Sequence, residues 1–277
     1  MNYLTFNNGV KIPQLGLGVF LSTPGVETLD AVRFAIESGY RHIDTAQIYR
    51  NEESVGQAIK DSGINREDIF VTTKVWNEIQ RTGSISDSID ESLKKMNMEY
   101  IDLLLIHWPV KEKYVNTWLE LEKIYGNGKG KIRAIGVSNF LEHHIQDIEK
   151  VWSIVPAINQ YELHPELNQK DLRDFCSNLG IISQAYSPLG GSKNVERVLS
   201  NSILMEISKK YDKTPAQIIL RWNIQLGIVT IPKSITQERI KSNFEIFDFE
   251  LTKEDMEKIN SINKNERHGA NPDTFTF

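Results

Sequence analysis

Short apolar runs alternate along the chain with longer stretches whose apolar residues recur at helical spacing. The runs are Leu15–Val19, Arg41–Asp44, Phe70–Lys74, Asp102–His107, Ala134–Ser138, Ala157–Tyr161, Ile181–Ala185 and Ile228–Ile231. Each reads as a strand and each intervening stretch as helical, at first with a period of roughly 23 to 32 residues. Several helices carry recognisable ends. Thr28–Ser38 stops at Gly39, a helix-terminating glycine. Thr214-Pro215-Ala216-Gln217 places a capping threonine, a first-turn proline and a third-position glutamine in order, and that helix runs through Ile218, Leu220 and Trp222 to Gly227. The helix over Tyr114–Tyr125 ends in Gly126-Asn127-Gly128-Lys129-Gly130, which suits a turn and lacks the spacing of a phosphate-binding P-loop. Ahead of this alternation, Tyr3–Phe6 and Val10–Ile12 flank Asn7-Asn8-Gly9, an Asn-Gly hairpin signal.

Eight βα units predict an α/β fold, the closed (β/α)8 or TIM barrel, with an N-terminal β-hairpin and a short C-terminal tail after Asn263. A doubly wound sheet is the rival. Gly16-Leu17-Gly18 gives it superficial support, but Leu21 stands where the dinucleotide fingerprint needs its next glycine. There is no serine nucleophile elbow, no linker and no repeat beyond the βα rhythm, so residues 1–277 read as a single domain.

The bulk numbers narrow the partners more than the chemistry. The net charge is −5, from 32 basic and 37 acidic residues with no basic block, so neither nucleic acid nor an anionic membrane is expected as a partner. Cys176 is the sole cysteine, which rules out an internal disulfide and a thiolate metal cage. The amino terminus lacks the regions of a signal peptide, and no apolar window reaches transmembrane length. A cytoplasmic protein is the expectation.

Candidate chemistry gathers at the ends of consecutive runs. Asp44, Lys74 and His107 lie at the ends of the second, third and fourth, and Tyr49 follows Asp44 in a loop before a helix beginning near Glu53. In a barrel these ends converge on one face, where such enzymes place their active sites. A phenol is a weak acid, with a reference pKa near 10. A lysine cation favours the phenolate and a paired carboxylate holds the lysine, so Lys74 and Asp44 are expected to lower the pKa of Tyr49. A shift of roughly two units corresponds to about 3 kcal/mol. His107 can hydrogen-bond a reacting oxygen or exchange a proton with it. Each of the four alone fits a solvated or packing role; together at successive strand ends they make a proton-transfer site. At the last strand, Lys233, Ser234, Thr236 and Arg239 lie between Ile231-Pro232 and a helix starting near Gln237. Free amides at a helix start, with added cations, suit a phosphate.

The motifs Gly39-Tyr40-Arg41-His42-Ile43-Asp44, Leu104-Leu105-Ile106-His107-Trp108-Pro109, Ile135-Gly136-Val137-Ser138-Asn139-Phe140 and Ile231-Pro232-Lys233-Ser234 resemble those of the aldo-keto reductase family, over essentially the whole chain. The resemblance implies a catalytic tetrad of Asp44, Tyr49, Lys74 and His107, and NADPH bound extended across the barrel mouth without a metal. It implies that Ser138, Asn139 and Gln160 hold the nicotinamide carboxamide, that Tyr186 stacks on the ring, and that Ser187 and Leu189 also touch the cofactor. Lys233, Ser234, Thr236 and Arg239 then clamp the adenosine 2′-phosphate and Asn243 contacts adenine. Ser242 departs from the common glutamate beside that asparagine. Phe20, Trp76 and Trp108 match positions that wall a substrate pocket, with Phe20 in place of a frequent tryptophan. A monomer is implied as well.

Only four residues separate Pro109 from Tyr114, and the stretch after Pro188-Leu189-Gly190-Gly191 is short. Short loops predict an open pocket for small carbonyls; any enclosing surface has to come from the tail ending in Phe275 and Phe277. The function expected is NADPH-dependent reduction of small aldehydes and ketones to alcohols. The alternative is an NADP(H)-binding regulatory or interaction protein with vestigial activity, which the complete tetrad argues against. A metal-dependent hydrolase lacks a convincing ligand set: His143 and His144 are expected to point apart as neighbours on a helix, and His164 reads as a loop residue. Cys176, Trp118, Trp152 and Trp222 read as packing residues.

Overall fold

A hairpin closes the bottom of a parallel barrel. In this computed structural model, which describes residues 2–126 and 130–277, strands β1 (Tyr3–Thr5) and β2 (Lys11–Pro13) pair antiparallel, with Leu4 opposite Ile12. Phe6 and Ile12 of the hairpin pack against Phe70, Leu105, Ile158 and Val229, filling the barrel interior from below. The barrel strands are β3 (Leu17–Gly18), β4 (His42–Asp44), β5 (Phe70–Val75), β6 (Leu103–Ile106), β7 (Ile135–Ser138), β8 (Ile158–Glu162), β9 (Ile182–Tyr186) and β10 (Val229–Thr230). They pair in chain order, each parallel to the next. Parallel bridges from Leu15 to Thr230 and from Gly18 to Lys233 join the first strand to the last and shut the sheet on itself.

The first and last strands are shorter than the apolar runs that encode them. Pairing across the seam is irregular: Gly18 donates to the carbonyl of Pro232, while the N–H of Ile231 turns to Ala185. Proline has no N–H to return, so the ladder cannot continue there. The six central strands fall within a residue of the expected limits.

Helices α1 (Val26–Ser38), α2 (Glu52–Asp61), α3 (Asn77–Thr82), α4 (Ile85–Met96) and α5 (Tyr114–Tyr125) follow the first four barrel strands. The outer layer continues with α6 (Glu142–Glu149), α7 (Lys170–Asn178), α8 (Val195–Leu199), α9 (Ser202–Tyr211), α10 (Pro215–Gln225), α11 (Gln237–Phe244) and α12 (Lys253–Asn260). Gly39 ends α1 with a φ of 104°, and Thr214 caps α10 through a reciprocal bond with Gln217, both as the sequence predicts. The turn expected at 126–130 lies partly outside the described residues. Trp118, Trp222 and Cys176 are buried in the layer between strands and helices, and Trp152 packs at its edge.

Close helix packing sets a limit at Gly56 in α2. A Cβ there would stand 2.1 Å from the carbonyl oxygen of Met96, at the end of α4. Backbone cannot yield as a flexible side chain can. Gly56→Ala is therefore expected to destabilise the protein by about 1–3 kcal/mol despite the better helix propensity of alanine. A lower denaturant midpoint at unchanged slope is the expected reading; a midpoint at or above that of the parent would contradict the packing.

Candidate active site

Parallel strands deliver their carboxyl ends to one rim. Asp44 ends β4, Lys74 lies near the end of β5, and His107 follows β6 with its amide bonded to the carbonyl of Val75. Tyr49 arrives on a 3-10 turn, Gln47–Tyr49, which Arg50 closes in a left-handed conformation at φ 58°. Gln47 anchors that turn: its amide donates to Ser88 and Ser92, and its oxygen accepts the N–H of Trp76.

At the centre of the rim is a buried ion pair. Lys74 Nζ lies 2.5 Å from Asp44 Oδ1 and 2.8 Å from the carbonyl oxygen of Thr45, with neither side chain reaching solvent. The second oxygen of Asp44 accepts the amide of Gln160 at 2.7 Å. Burial pushes the Asp44 carboxyl up and the Lys74 ammonium down, and their mutual attraction opposes both shifts. Removing either charge would leave the other stranded.

The pair bears on Tyr49 differently from the sequence expectation. Lys74 Nζ sits over the phenol ring, 5.1 Å from its centroid, and among the described residues the Tyr49 hydroxyl has no hydrogen bond to it. The ammonium is already matched by Asp44. Burial, with Asp44 and Tyr186 adding to it, holds the Tyr49 pKa well above the ordinary phenol value rather than below it. The phenol therefore keeps its proton at neutral pH. His107, edge-on to Tyr49 at 5.6 Å between centroids, is pushed the other way by burial and by Lys74, so its imidazole stays neutral.

The residues expected at a dinucleotide fall into two groups. Ser138 and Gln160 pair across β7 and β8, and Asn139 follows in a left-handed conformation at φ 64°. Asn139 donates to the carbonyl of His107 and accepts the hydroxyl of Tyr186 at 2.8 Å. Tyr186 ends β9 half-buried, beside half-buried Ser187 and Leu189. At the other end of the rim Lys233 and Arg239 are exposed and pair with no carboxylate among the described residues. Between them Ser234 and Thr236 precede α11, whose first turn has no side-chain cap from Thr236, and Asn243 is buried farther along. Free amides, two cations without a carboxylate partner among the described residues and hydroxyls are a donor set that fits a phosphate, and a half-buried aromatic ring with amide groups beside it fits a nicotinamide.

Phe20, Trp76 and Trp108 surround the Tyr49 side of the mouth. Phe20 is 54% exposed, and its ring lies 5.0 Å from that of Tyr49. The tail adds to this wall, which the short loops alone did not suggest. Phe277 stacks on Trp76 with the planes 1° apart and meets Trp108 edge-on, and Phe275 lies 5.0 Å from Trp108. The main-chain oxygen of Phe277 accepts from Asn77 and Arg81. The tail crosses the rim against strand order, from Glu162 at β8, past the start of α6, to the residues after β6 and β5.

Two histidine clusters fasten it. His143 and His144 both face Asp273 of the tail, with Nε2 to Oδ1 distances of 3.0 and 3.6 Å, where helix spacing predicted divergence. They sit in the first turn of α6, where His144 folds back so that its Nδ1 accepts the N–H of Leu141. Burial pushes the His144 pKa down to about 4. The second cluster joins His164 to Glu162 and stacks it on His268, rings 4.2 Å apart.

The family model described as Aldo/keto reductase family matches residues 14–264. The chain is 51% identical over 274 residues to the 9,11-endoperoxide prostaglandin H2 reductase of Trypanosoma cruzi, covering 99% of this chain and 96% of that protein. It is 51% identical over 271 residues to the glyoxal reductase of Bacillus subtilis, covering 98% and 96%. The crystal structure of a Bombyx mori aldo-keto reductase in complex with NADP superposes with a TM-score of 0.90 at 38% identity, over 98% of this chain and 96% of that one.

The ion pair makes a prediction in three variants. Asp44→Asn and Lys74→Met should each destabilise the fold, by about 3–5 kcal/mol, because each leaves an uncompensated buried charge. The double variant should recover much of that stability. Thermal denaturation of the four proteins checks it; a double variant as unstable as the sum of the singles would show that the two charges do not compensate each other.

Proposed function

The chain belongs to the aldo/keto reductase family, and on that premise we propose that it reduces small aldehydes and ketones to alcohols with NADPH, Tyr49 acting as general acid. The observation that carries this reading is Tyr49 placed against a matched Lys74–Asp44 pair and edge-on to His107, in surroundings that favour the protonated phenol and the neutral imidazole. When bound, NADPH supplies a hydride equivalent to the carbonyl carbon. Tyr49 gives its proton to the carbonyl oxygen, which becomes basic as it gains charge, and the product is the neutral alcohol. The Lys74 ammonium, held over the phenol ring, stabilises the charge left on Tyr49 until solvent returns a proton. His107 orients the carbonyl oxygen by a hydrogen bond and does not supply the proton, since burial keeps it neutral.

Ser138, Asn139 and Gln160 orient the nicotinamide carboxamide, and Tyr186 shields one ring face so that substrate approaches the other. Ser187 and Leu189 cover the cofactor, and Lys233, Ser234, Thr236 and Arg239 hold the 2′-phosphate, with Asn243 toward adenine. Phe20, Trp76, Trp108, Phe275 and Phe277 bury apolar groups at about 25 cal/mol per Å² and offer few partners for hydroxyls. Compact aldehydes and dicarbonyls fit this lining better than free sugars, in keeping with the glyoxal reductase among its relatives.

Tyr49→Phe is expected to lower kcat by about 10²–10⁴-fold while NADPH still binds, since the hydroxyl carries the proton and not the dinucleotide. Near-parental turnover by the folded variant would remove Tyr49 from this role. Arg239→Ala should weaken NADPH by about 1.5–3 kcal/mol and leave NADH nearly unaffected. Titration of both cofactors decides it: equal losses would mean that Arg239 does not read the 2′-phosphate.

A further inference from the structure

Glu162 has no part in the proton transfer just described, yet it is buried at the end of β8 and holds three hydrogen-bond partners. Its Oε1 accepts the N–H of His268 at 2.6 Å and lies 3.0 Å from His164 Nε2. Its Oε2 accepts the N–H of Gly269 at 2.9 Å, with the Arg267 guanidinium at 3.7 Å. Burial alone would raise this carboxyl; the bonds from His164 and the two amides outweigh it and hold the pKa low, so the group is a carboxylate. Two successive backbone amides aimed at one buried carboxylate fix both the position and the direction of the chain that carries them.

That chain is the tail over the active site. From Gly269 it runs to Asp273 at α6 and then to Phe275 and Phe277 on Trp108 and Trp76. On its other side His268 Nδ1 donates to the carbonyl of Gly190, in the loop after Tyr186. Glu162 is also the β-pair neighbour of Tyr186. The fit at this junction is tight: a Cβ on Gly269 would lie 2.9 Å from Glu162 Oε2, so the carboxylate or the tail would have to shift. Lys264, Arg197 and His268 gather on Glu166 just below, so the segment entering the junction is held as well.

We propose that Glu162 is a positioning residue: by capturing the His268 and Gly269 amides it sets the tail so that Phe275 and Phe277 complete the substrate pocket. Its effect is on substrate capture, not on the chemical step. The proposal rests on the carbonyl-reductase reading for its kinetic consequence but not for its structural one.

The test uses Glu162→Gln, which keeps shape while replacing one acceptor oxygen with a donor, and Gly269→Ala, which displaces the tail and leaves Glu162 intact. Each should raise KM for a small aromatic aldehyde about tenfold with kcat changed less than about threefold, the pattern of lost ground-state binding. Each should also speed tryptic cleavage at Lys264 or Arg267 of the folded enzyme. The double variant should add little to either single, because both break one junction. Parental KM and parental cleavage in both variants would overturn the proposal, as would equal losses in kcat and NADPH affinity, which mark a general structural role. Should Glu162→Gln fail to fold, Gly269→Ala decides alone. If the parent reduces no carbonyl, the reductase reading fails, while the cleavage rates still decide the clamp.

Discussion

Lys74 and Asp44 carry opposite charges in a place where neither could stay ionised alone. Desolvation disfavours each charge, and only their 2.5 Å contact, with Thr45 and Gln160 satisfying the remaining directions, makes the arrangement tenable. The barrel provides what the pair requires: three different strands, β4, β5 and β8, bring the groups to one rim with main-chain geometry that is fixed before any side chain is placed. Once the charges cancel, the surroundings of Tyr49 and His107 are set by burial. One becomes a phenol that keeps its proton and the other an imidazole that does not take one.

The barrel and the gathering of Asp44, Tyr49, Lys74 and His107 on one rim were legible in the sequence because both depend on local signals. Apolar runs, Gly39 after α1 and the Thr214 cap of α10 report the chain's own nearby structure, and a parallel barrel places the strand ends by topology. The direction of the Tyr49 shift was not legible. Residue types announce a nearby cation, but the outcome depends on how completely Asp44 matches it and on the half-buried setting of the phenol. His143 and His144 show a similar limit. Neighbours diverge in a helix interior, whereas in the first turn of α6 a side chain can fold back onto the preceding N–H.

The tail was legible only as the place from which an enclosing surface would have to come, not as a segment laid on the rim. Phe275 and Phe277 have no periodic pattern around them, and their partners Trp76 and Trp108 lie far away in sequence. Counting loop lengths found no lid because no loop forms one; the cover comes from the tail, laid across the ends of β8, β7, β6 and β5 in turn. Its anchors are a buried carboxylate, a histidine pair and two side chains that hold the Phe277 main-chain oxygen. The tail's share of the apolar wall therefore comes from a segment far in sequence from Asp44, Tyr49, Lys74 and His107, while Trp76 and Trp108 follow closely on Lys74 and His107 in the chain.

The central claim is that the proton comes from a phenol and not from an imidazolium. The dependence of kcat/KM on pH for a small aldehyde, at saturating NADPH, tests this most directly. With a neutral His107 and a Tyr49 pKa raised by burial, the profile should stay level through the range in which an ordinary imidazole titrates and fall only above the ordinary phenol value of about 10, as the phenol is lost. A profile that instead declines as pH rises through about 6 to 7 would identify an imidazolium as the donor and contradict the account.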